Sequence, residues 1–328
     1  MRRYTRILLT TIGAASVITA GAAYLAYAAD MSKIRERVGT GSQVIQTSAG
    51  QIEYATFGEG IPVLISHGGG GGYDQGLIIA RENVRDGLRV IAPSRFGYLK
   101  TPLPLDGASP AAQADAHAAL LDALDVDRVV VIGFSAGARS AIELALRHPT
   151  RVASLILISP ITYSPSERPE VDSTATSRAV LKVMLAGADF AYWSALHIAR
   201  PSVVRFAGVS PDLEAQAPKA ERERVDEILR AMLPLSQRIA GIRIDGSTPL
   251  TPWPLERITA PTLVVAAADD LFNTLPAAQF TAAHMPNAKL ISLSSGGHLL
   301  VGRHEQVRRE LAAFLAQNQL RRAPQLAP

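Results

Sequence analysis

Residues 129–137 read VVVIGFSAG, a run of β-branched residues that ends in Gly-Phe-Ser-Ala-Gly. Residues 138–147 continue in a helical pattern that is closed by His-Pro. A strand, a sharp turn and a helix in this order are the context in which G-x-S-x-G presents a nucleophilic serine. We therefore predict a strained turn at Ser135. Gly133 and Gly137 would keep side chains out of the neighbouring strand and helix.

The pentapeptide alone does not identify a nucleophilic serine, because a glycine-rich turn with a helix-capping serine is common. A serine hydroxyl becomes a useful nucleophile when a histidine takes its proton and a carboxylate fixes the tautomer of that histidine. Asp269 and Asp270 follow an apolar, strand-like run at residues 261–268, and His298 follows another at residues 290–295. Ligands of open parallel sheets bind at the ends of such strands.

Each of these residues also has a simpler interpretation when it is taken singly. Asp269 or Asp270 would fit as a cap of a helix at residues 274–284, and His298 would fit as an ordinary loop histidine. Three residues of the required types, all after strands and in the order serine, aspartate, histidine, favour a catalytic set.

A fourth segment agrees with this interpretation. Residues 62–72 read PVLISHGGGGG, a strand followed by a glycine run. Acyl transfer develops an oxyanion that needs two preorganised N–H donors. The glycine run can supply one, from Gly69 or the adjacent Gly70, and Ala136 can supply the other. A phosphate-binding loop is disfavoured, because neither a G-x-G-x-x-G in its helix context nor a G-K-[ST] ending is present.

From about residue 42 to residue 320 the chain resembles the α/β-hydrolase superfamily. The resemblance rests on four short motifs, which are HGG at residues 67–69, GFSAG at 133–137, ADDL at 268–271 and GGH at 296–298. It implies Ser135 as nucleophile, His298 as base and Asp270 as acid, with Ala267 where the family usually has glycine. Gly69 and Ala136 would form the oxyanion hole. A serine nucleophile is unlike the aspartate of the haloalkane dehalogenase and epoxide hydrolase branches.

The expected fold is α/β, with a mostly parallel central sheet and helices on both faces. We expect a hairpin over residues 43–57, a helix opened by Ser109 and Pro110 that runs to about Leu124, a strand at 152–159 and a final helix at 305–319. Residues 42–160 and 261–320 would form the core. Residues 321–328 would be a disordered tail.

Between residues 161 and 260 the alternation of strands and helices stops. Helical patterns at residues 174–185, 190–197 and 219–232 predict an inserted helical lid over the site. Such a lid would govern which substrates are accepted, whereas the alternative is a helical subdomain with a structural role only.

The first 37 residues form a separate module. Residues 7–29 carry no charge and lie between basic residues on either side. About 20 apolar residues suffice to cross a bilayer, and this length favours a signal anchor over a cleaved signal peptide, although Ala26-Tyr27-Ala28 offers a cleavage site. We expect attachment to a membrane by this one helix with the catalytic domain outside the cytoplasm. The alternative is secretion after cleavage.

Composition excludes several classes of function. The formal net charge is +4, and residues 1–37, with six Lys/Arg and two Asp/Glu, carry all of it. The high isoelectric point therefore does not indicate a nucleic-acid surface. The chain has no cysteine, which excludes disulfides and thiolate chemistry. No H-x-x-x-H pair is present, and we predict neither a metal site nor a cofactor.

The sequence thus predicts a serine hydrolase that cleaves a carboxylic ester or related acyl substrate through an acyl-enzyme. The substrate is expected to be a small molecule. Related chemistries stay open: a C–C bond hydrolase, an aminopeptidase or a perhydrolase of the same fold would use the same residues. A small-molecule binding protein without turnover is the alternative of a different class.

Overall fold

The structure is a computed structural model that describes residues 2–83, 87–170 and 174–320, and the side chains of residues 19–318 within these ranges. The chain divides into two units, residues 1–40 and 41–328. The predicted tail at residues 321–328 lies outside the described residues.

The first unit is helix α1 (Arg2–Thr40). Among the described residues no helix offers an apolar stretch long enough to cross a bilayer. The predicted span at residues 7–29 is therefore not supported, and its first part, residues 7–18, lies outside the described side chains. From residue 19 onward the helix is rich in alanine and glycine and soon reaches Asp30, Lys33 and Arg35, which lower the hydropathy of any long window.

The second unit is built on a sheet of eight described strands in the order β1-β2-β4-β3-β5-β6-β7-β8. Strand β2 runs antiparallel to both β1 and β4, and all other pairs are parallel, which confirms the mostly parallel sheet. The strands are β1 (Gln43–Thr47), β2 (Gly50–Phe57), β3 (Ile61–Ser66), β4 (Leu88–Pro93), β5 (Val129–Phe134), β6 (Val152–Ile158), β7 (Thr262–Ala267) and β8 (Ala288–Leu293).

Helices alternate with these strands, except between β6 and β7. Helices α2 (Tyr73–Asn83), α3 (Pro110–Ala123) and α4 (Ala138–Arg147) separate β3 to β6. Between β6 and β7 the described chain forms α5 (Ala175–Leu185), α6 (Asp189–Ile198), α7 (Arg200–Phe206), α8 (Pro211–Gln216), α9 (Lys219–Arg230) and α10 (Ile239–Ser247). Helices α11 (Leu275–His284) and α12 (His304–Leu320) flank β8. We call residues 161–260 the helical insertion.

Local sequence explains these elements. Strand β5 is buried along its whole length, as expected for a β-branched run at the centre of a parallel sheet. Helix α3 begins as predicted: the Ser109 side chain accepts a hydrogen bond from the N–H of Ala112, and Pro110 stands at the first helical position.

The order of the strands brings the predicted motifs together. Strand β3 lies between β4 and β5, because the chain passes from β3 to β4 on one side and then crosses back to β5 on the other. Ser66, at the end of β3, pairs with Gly133 near the end of β5. The loops that follow β3 and β5 therefore open into one crevice at the carboxyl edge of the sheet, which is where such folds bind ligands.

Candidate active site

Ser135 lies in a sharp turn between β5 and α4. Its φ angle is +52°, a left-handed value that is uncommon for a residue with a side chain. A Cβ at Gly137 would overlap the carbonyl oxygen of Ser66, and one at Gly133 would lie 2.7 Å from Cα of Ala138. The strained turn and its two glycines are thus present as predicted.

The structure brings Ser135, His298 and Asp270 together, although 163 residues separate the serine from the histidine. Ser135 Oγ lies 2.8 Å from His298 Nε2, and His298 Nδ1 lies 2.8 Å from Asp270 Oδ2. A carboxylate only accepts, so Nδ1 carries the proton and Nε2 is free to accept from the serine hydroxyl. All three side chains are buried.

The two neighbouring aspartates have different partners. Asp270 also accepts hydrogen bonds from the N–H of Phe272, at 2.8 Å, and from the hydroxyl of Thr274. Asp269 instead accepts the N–H of Gly297, at 2.7 Å, and so supports the loop that carries His298. Helix α11 has no side-chain cap, which disfavours the interpretation of either aspartate as its capping residue.

A backbone group of the helical insertion also holds the site, and no sequence motif predicts it. The carbonyl oxygen of Gly208, between α7 and α8, accepts the N–H of His298 at 3.0 Å and the N–H of Leu271 at 3.1 Å. On the other side, Ser159 Oγ donates to the carbonyl oxygen of His298 at 2.8 Å. No sequence pattern marks a single glycine carbonyl for this position.

The two adjacent glycines, Gly69 and Gly70, differ in whether their N–H groups already have a hydrogen-bond partner. The N–H of Gly70 donates to the hydroxyl of Tyr98 at 3.2 Å. Over the described ranges, no hydrogen bond uses the N–H of Gly69 or of Ala136, and both residues line the cavity beside Ser135. The geometry therefore favours Gly69 and Ala136 as the pair of donors.

His67 holds the glycine loop, and both of its ring nitrogens bond to the backbone. Its Nδ1 donates to the carbonyl oxygen of Gly68 at 2.8 Å, and its Nε2 accepts the N–H of Arg95 at 2.9 Å. Burial, and next the charge of Arg95, hold the pKa of His67 well below its ordinary value. The ring is therefore neutral and fixes the turn as one tautomer.

A cavity of about 200 Å³ opens beside Ser135. Most of its lining is apolar, and much of that comes from the helical insertion: Leu181, Met184, Phe206, Ile228, Leu229, Met232 and Ile242. The predicted lid segment thus forms one wall of the pocket. In the ranges that the structure describes, no group of three His, Cys, Asp or Glu is placed to hold a metal ion.

Known proteins resemble this chain over most of its length. Residues 61–304 match the family described as alpha/beta hydrolase fold. An uncharacterized hydrolase of Bacillus subtilis, YcgS, is 30% identical over 270 residues, which cover 79% of this chain and 92% of that protein. The 2-hydroxy-6-oxononadienedioate/2-hydroxy-6-oxononatrienedioate hydrolase of Paraburkholderia xenovorans is 27% identical over 277 residues, which cover 81% and 91%.

Among solved structures, an alpha/beta hydrolase fold protein from Nakamurella multipartita superposes with a TM-score of 0.66 at 30% identity, covering 84% of this chain and 98% of that one. The matched family, the relatives and the solved structure agree on one fold family. The chain belongs to the α/β-hydrolase family and is an enzyme of the hydrolase class.

Proposed function

We propose that this enzyme is a serine hydrolase that cleaves a carboxylic ester of modest size. The observation that supports this most is the continuous contact from Ser135 through His298 to Asp270, with 2.8 Å at each step, beside an apolar cavity. An activated serine at an apolar pocket suits an ester whose acyl or alkyl part is uncharged.

In the proposed reaction Ser135 Oγ attacks the ester carbonyl and its proton passes to His298 Nε2. The tetrahedral oxyanion accepts hydrogen bonds from the N–H groups of Gly69 and Ala136, and losing one such donor costs about 3 kcal/mol. His298 then protonates the leaving alcohol, while Asp270 stabilises the imidazolium. Water, deprotonated by His298, attacks the acyl-enzyme, and His298 then returns that proton to Ser135 Oγ as the acid is released.

C–C bond hydrolysis is the second candidate, because relatives carry such names. These include the Paraburkholderia protein above and a 2-hydroxymuconate semialdehyde hydrolase of Pseudomonas putida, which is 29% identical over 280 residues. A dienedioate brings two carboxylates, which call for cationic partners. Within the described lining the one guanidinium is that of Arg139, and it is already ion-paired with Asp245 at 2.9 Å. This favours the uncharged ester.

The proposed function is tested by labelling the full-length protein with a fluorophosphonate probe and mapping the adduct by peptide mass spectrometry. A stoichiometric adduct on Ser135 is expected, because the probe requires an activated serine. Initial rates on a panel of p-nitrophenyl esters and on 2-hydroxymuconate semialdehyde then separate the two candidates. A protein that is not labelled would refute both candidate functions. A higher kcat/KM on 2-hydroxymuconate semialdehyde than on the esters would refute ester cleavage as the function.

Filling the pocket wall is expected to change chain-length selectivity. Met184 lies in α5, is buried, lines the cavity, and its methyl group would be 3.4 Å from a Cβ at Gly70. In Met184→Trp the larger ring takes volume next to the reaction centre. We expect kcat/KM for octanoyl esters relative to acetyl esters to fall at least about tenfold, since one methylene group in an apolar pocket can be worth about tenfold or more.

Met184→Leu is the matched control, because it keeps the apolar character and nearly the volume; we expect its selectivity to stay within about twofold of wild type. An unchanged octanoyl-to-acetyl ratio in Met184→Trp would mean that this wall does not contact the acyl chain. A point substitution is sharper here than removal of the insertion, because the insertion also supplies the carbonyl of Gly208 to His298.

We also propose that residues 1–37 attach the enzyme to a membrane, with the catalytic domain outside the cytoplasm. The support comes from the sequence: the run at residues 7–29 is uncharged and flanked by basic residues, and its first part, residues 7–18, lies outside the side chains that the structure describes. Full-length protein is expected in the membrane pellet after a carbonate wash. A protein that begins at residue 42 should be in the supernatant with kcat/KM within about twofold, since residues 41–328 form a unit of their own. Full-length protein in the supernatant would contradict the proposal.

A further inference from the structure

Four polar side chains meet beside the proposed oxyanion hole, and two of them, Asp245 and Arg139, line the cavity. Asp245, from α10 of the helical insertion, is the centre of this group. Its Oδ1 accepts from Arg95 Nη1 at 2.8 Å and from Arg139 Nη2 at 2.9 Å, and its Oδ2 accepts from Arg95 Nη2 and from the Tyr98 hydroxyl, each at 2.6 Å. Burial raises the pKa of Asp245, but the charges of Arg95 and Arg139 outweigh it and lower the pKa to about 2.

This group reaches the first oxyanion donor. The N–H of Gly69 belongs to the same peptide unit as the carbonyl of Gly68, and that carbonyl accepts from Arg95 Nη2 at 3.2 Å. A charged donor on the carbonyl fixes the peptide plane and polarises its N–H. On the far side of Gly69, the Tyr98 hydroxyl that binds Asp245 also holds the N–H of Gly70.

The same group also contacts the residue of the second donor, through the peptide unit that follows the N–H of Ala136. Arg139 Nε donates to the carbonyl oxygen of Ala136 at 3.3 Å, while its Nη2 binds Asp245. One carboxylate of the insertion therefore holds the two arginines whose other N–H groups bind Gly68 and Ala136. Gly69 and Ala136, the residues of the two donors, both line the cavity beside Ser135.

Helix α10 is itself fixed to the loop that follows β4. The N–H of Gly241 donates to the carbonyl of Gly97 at 2.9 Å, and the N–H of Leu99 donates to the carbonyl of Gln237 at 2.8 Å. Backbone hydrogen bonds thus join α10, which carries Asp245, and the turn before it to this loop.

We propose that Asp245 is a positioning residue that sets the geometry of both oxyanion donors, through Arg95 and Tyr98 on one side and Arg139 on the other. The inference rests on the proposed function. It assigns to the helical insertion a part in the rate of the reaction, besides its part in forming the pocket.

The test compares full-length wild type with Asp245→Asn on an ester that the wild type cleaves. Two inhibitors are added: a trifluoromethyl ketone, whose hemiketal adduct with Ser135 carries an oxyanion in the hole, and the same compound with a methylene group in place of the carbonyl. We expect kcat to fall at least about tenfold and Ki of the ketone to rise by the same factor, because both depend on the oxyanion donors. KM and Ki of the methylene compound should stay within about twofold.

Glu214→Gln is the matched control. Glu214 is likewise a buried carboxylate of the insertion in an ion pair, with Arg200 at 2.8 Å, but it has no contact with the oxyanion loop among the described hydrogen bonds. Its kcat should stay within about twofold of wild type. A kcat of Asp245→Asn within the same range, or an equal rise in Ki for both inhibitors, would overturn the inference.

If Asp245→Asn does not fold, Tyr98→Phe is tested with the same two inhibitors. It removes only the hydroxyl that joins Asp245 to the N–H of Gly70. A ketone Ki raised at least about threefold, with the methylene compound unaffected, supports the inference, and equal Ki values for wild type and variant refute it. A wild-type protein that neither cleaves esters nor reacts with a fluorophosphonate would instead refute the proposed function.

Discussion

Replacement of Ser135 by alanine is expected to lower kcat on an activated ester by roughly 10⁵-fold or more, since removal of a catalytic serine in a comparable triad has an effect of this size. The variant keeps the oxyanion donors and the pocket but has no oxygen to form the acyl-enzyme. Ser135 is buried and small, so the fold should be unaffected and the Tm should change little. Steady-state kcat and fluorophosphonate labelling, both measured on the full chain, check this.

Ser140→Ala provides a matched control in α4. Ser140 is a buried serine whose hydroxyl lies 2.9 Å from that of Ser66, away from His298. Its kcat should stay within about threefold of wild type, as for loss of one neutral hydrogen bond that the reaction does not use. Ser135→Ala protein that keeps more than about a hundredth of the wild-type kcat would be incompatible with nucleophilic catalysis by this serine.

Asp270→Asn is expected to lower kcat at least about a hundredfold and up to about 10⁴-fold, with little change in KM. The amide has nearly the shape of the carboxylate, but it lacks the charge that stabilises the His298 imidazolium. Its NH₂ group can also face Nδ1 and favour the wrong tautomer of the histidine. The measurement is kcat and KM on one activated ester.

Asp269→Asn is the natural comparison, because it makes the same chemical change one residue away. The amide oxygen can still accept the N–H of Gly297, so the loop before His298 should remain in place. We expect a loss of less than about tenfold. A severe loss in Asp269→Asn together with near-normal Asp270→Asn would reverse the assignment of the acid.

Local patterns account for what could be predicted from the sequence. The strained turn at Ser135, the cap of α3 by Ser109 and the β1–β2 hairpin each depend on residues within a few positions of one another. His298 and Asp270 could be predicted because each follows a strand. In a parallel sheet the ends of strands converge, so residues far apart in the sequence reach one edge.

Tertiary contacts account for what could not be predicted. The choice between Gly69 and Gly70 depends on the hydroxyl of Tyr98, which occupies one of the two N–H groups. Asp245 lies in α10, a short helix with two glycines and no sequence motif that would mark a functional residue. The carbonyl of Gly208 leaves no signal in a side-chain pattern, because every residue has one.

The carbonyl of Gly208 has a consequence for how this enzyme can diversify. Gly208 has a φ of +77°, and a Cβ there would lie 2.5 Å from Cβ of His298, so only glycine fits beside the histidine. Shuffling the insertion between relatives to graft a new specificity would therefore fail unless the donor segment brings a glycine to this point with the same backbone direction. Substrate specificity and turnover rate therefore depend on the same segment. Single replacements in the pocket wall are a better route to new substrates than exchange of the whole helical insertion.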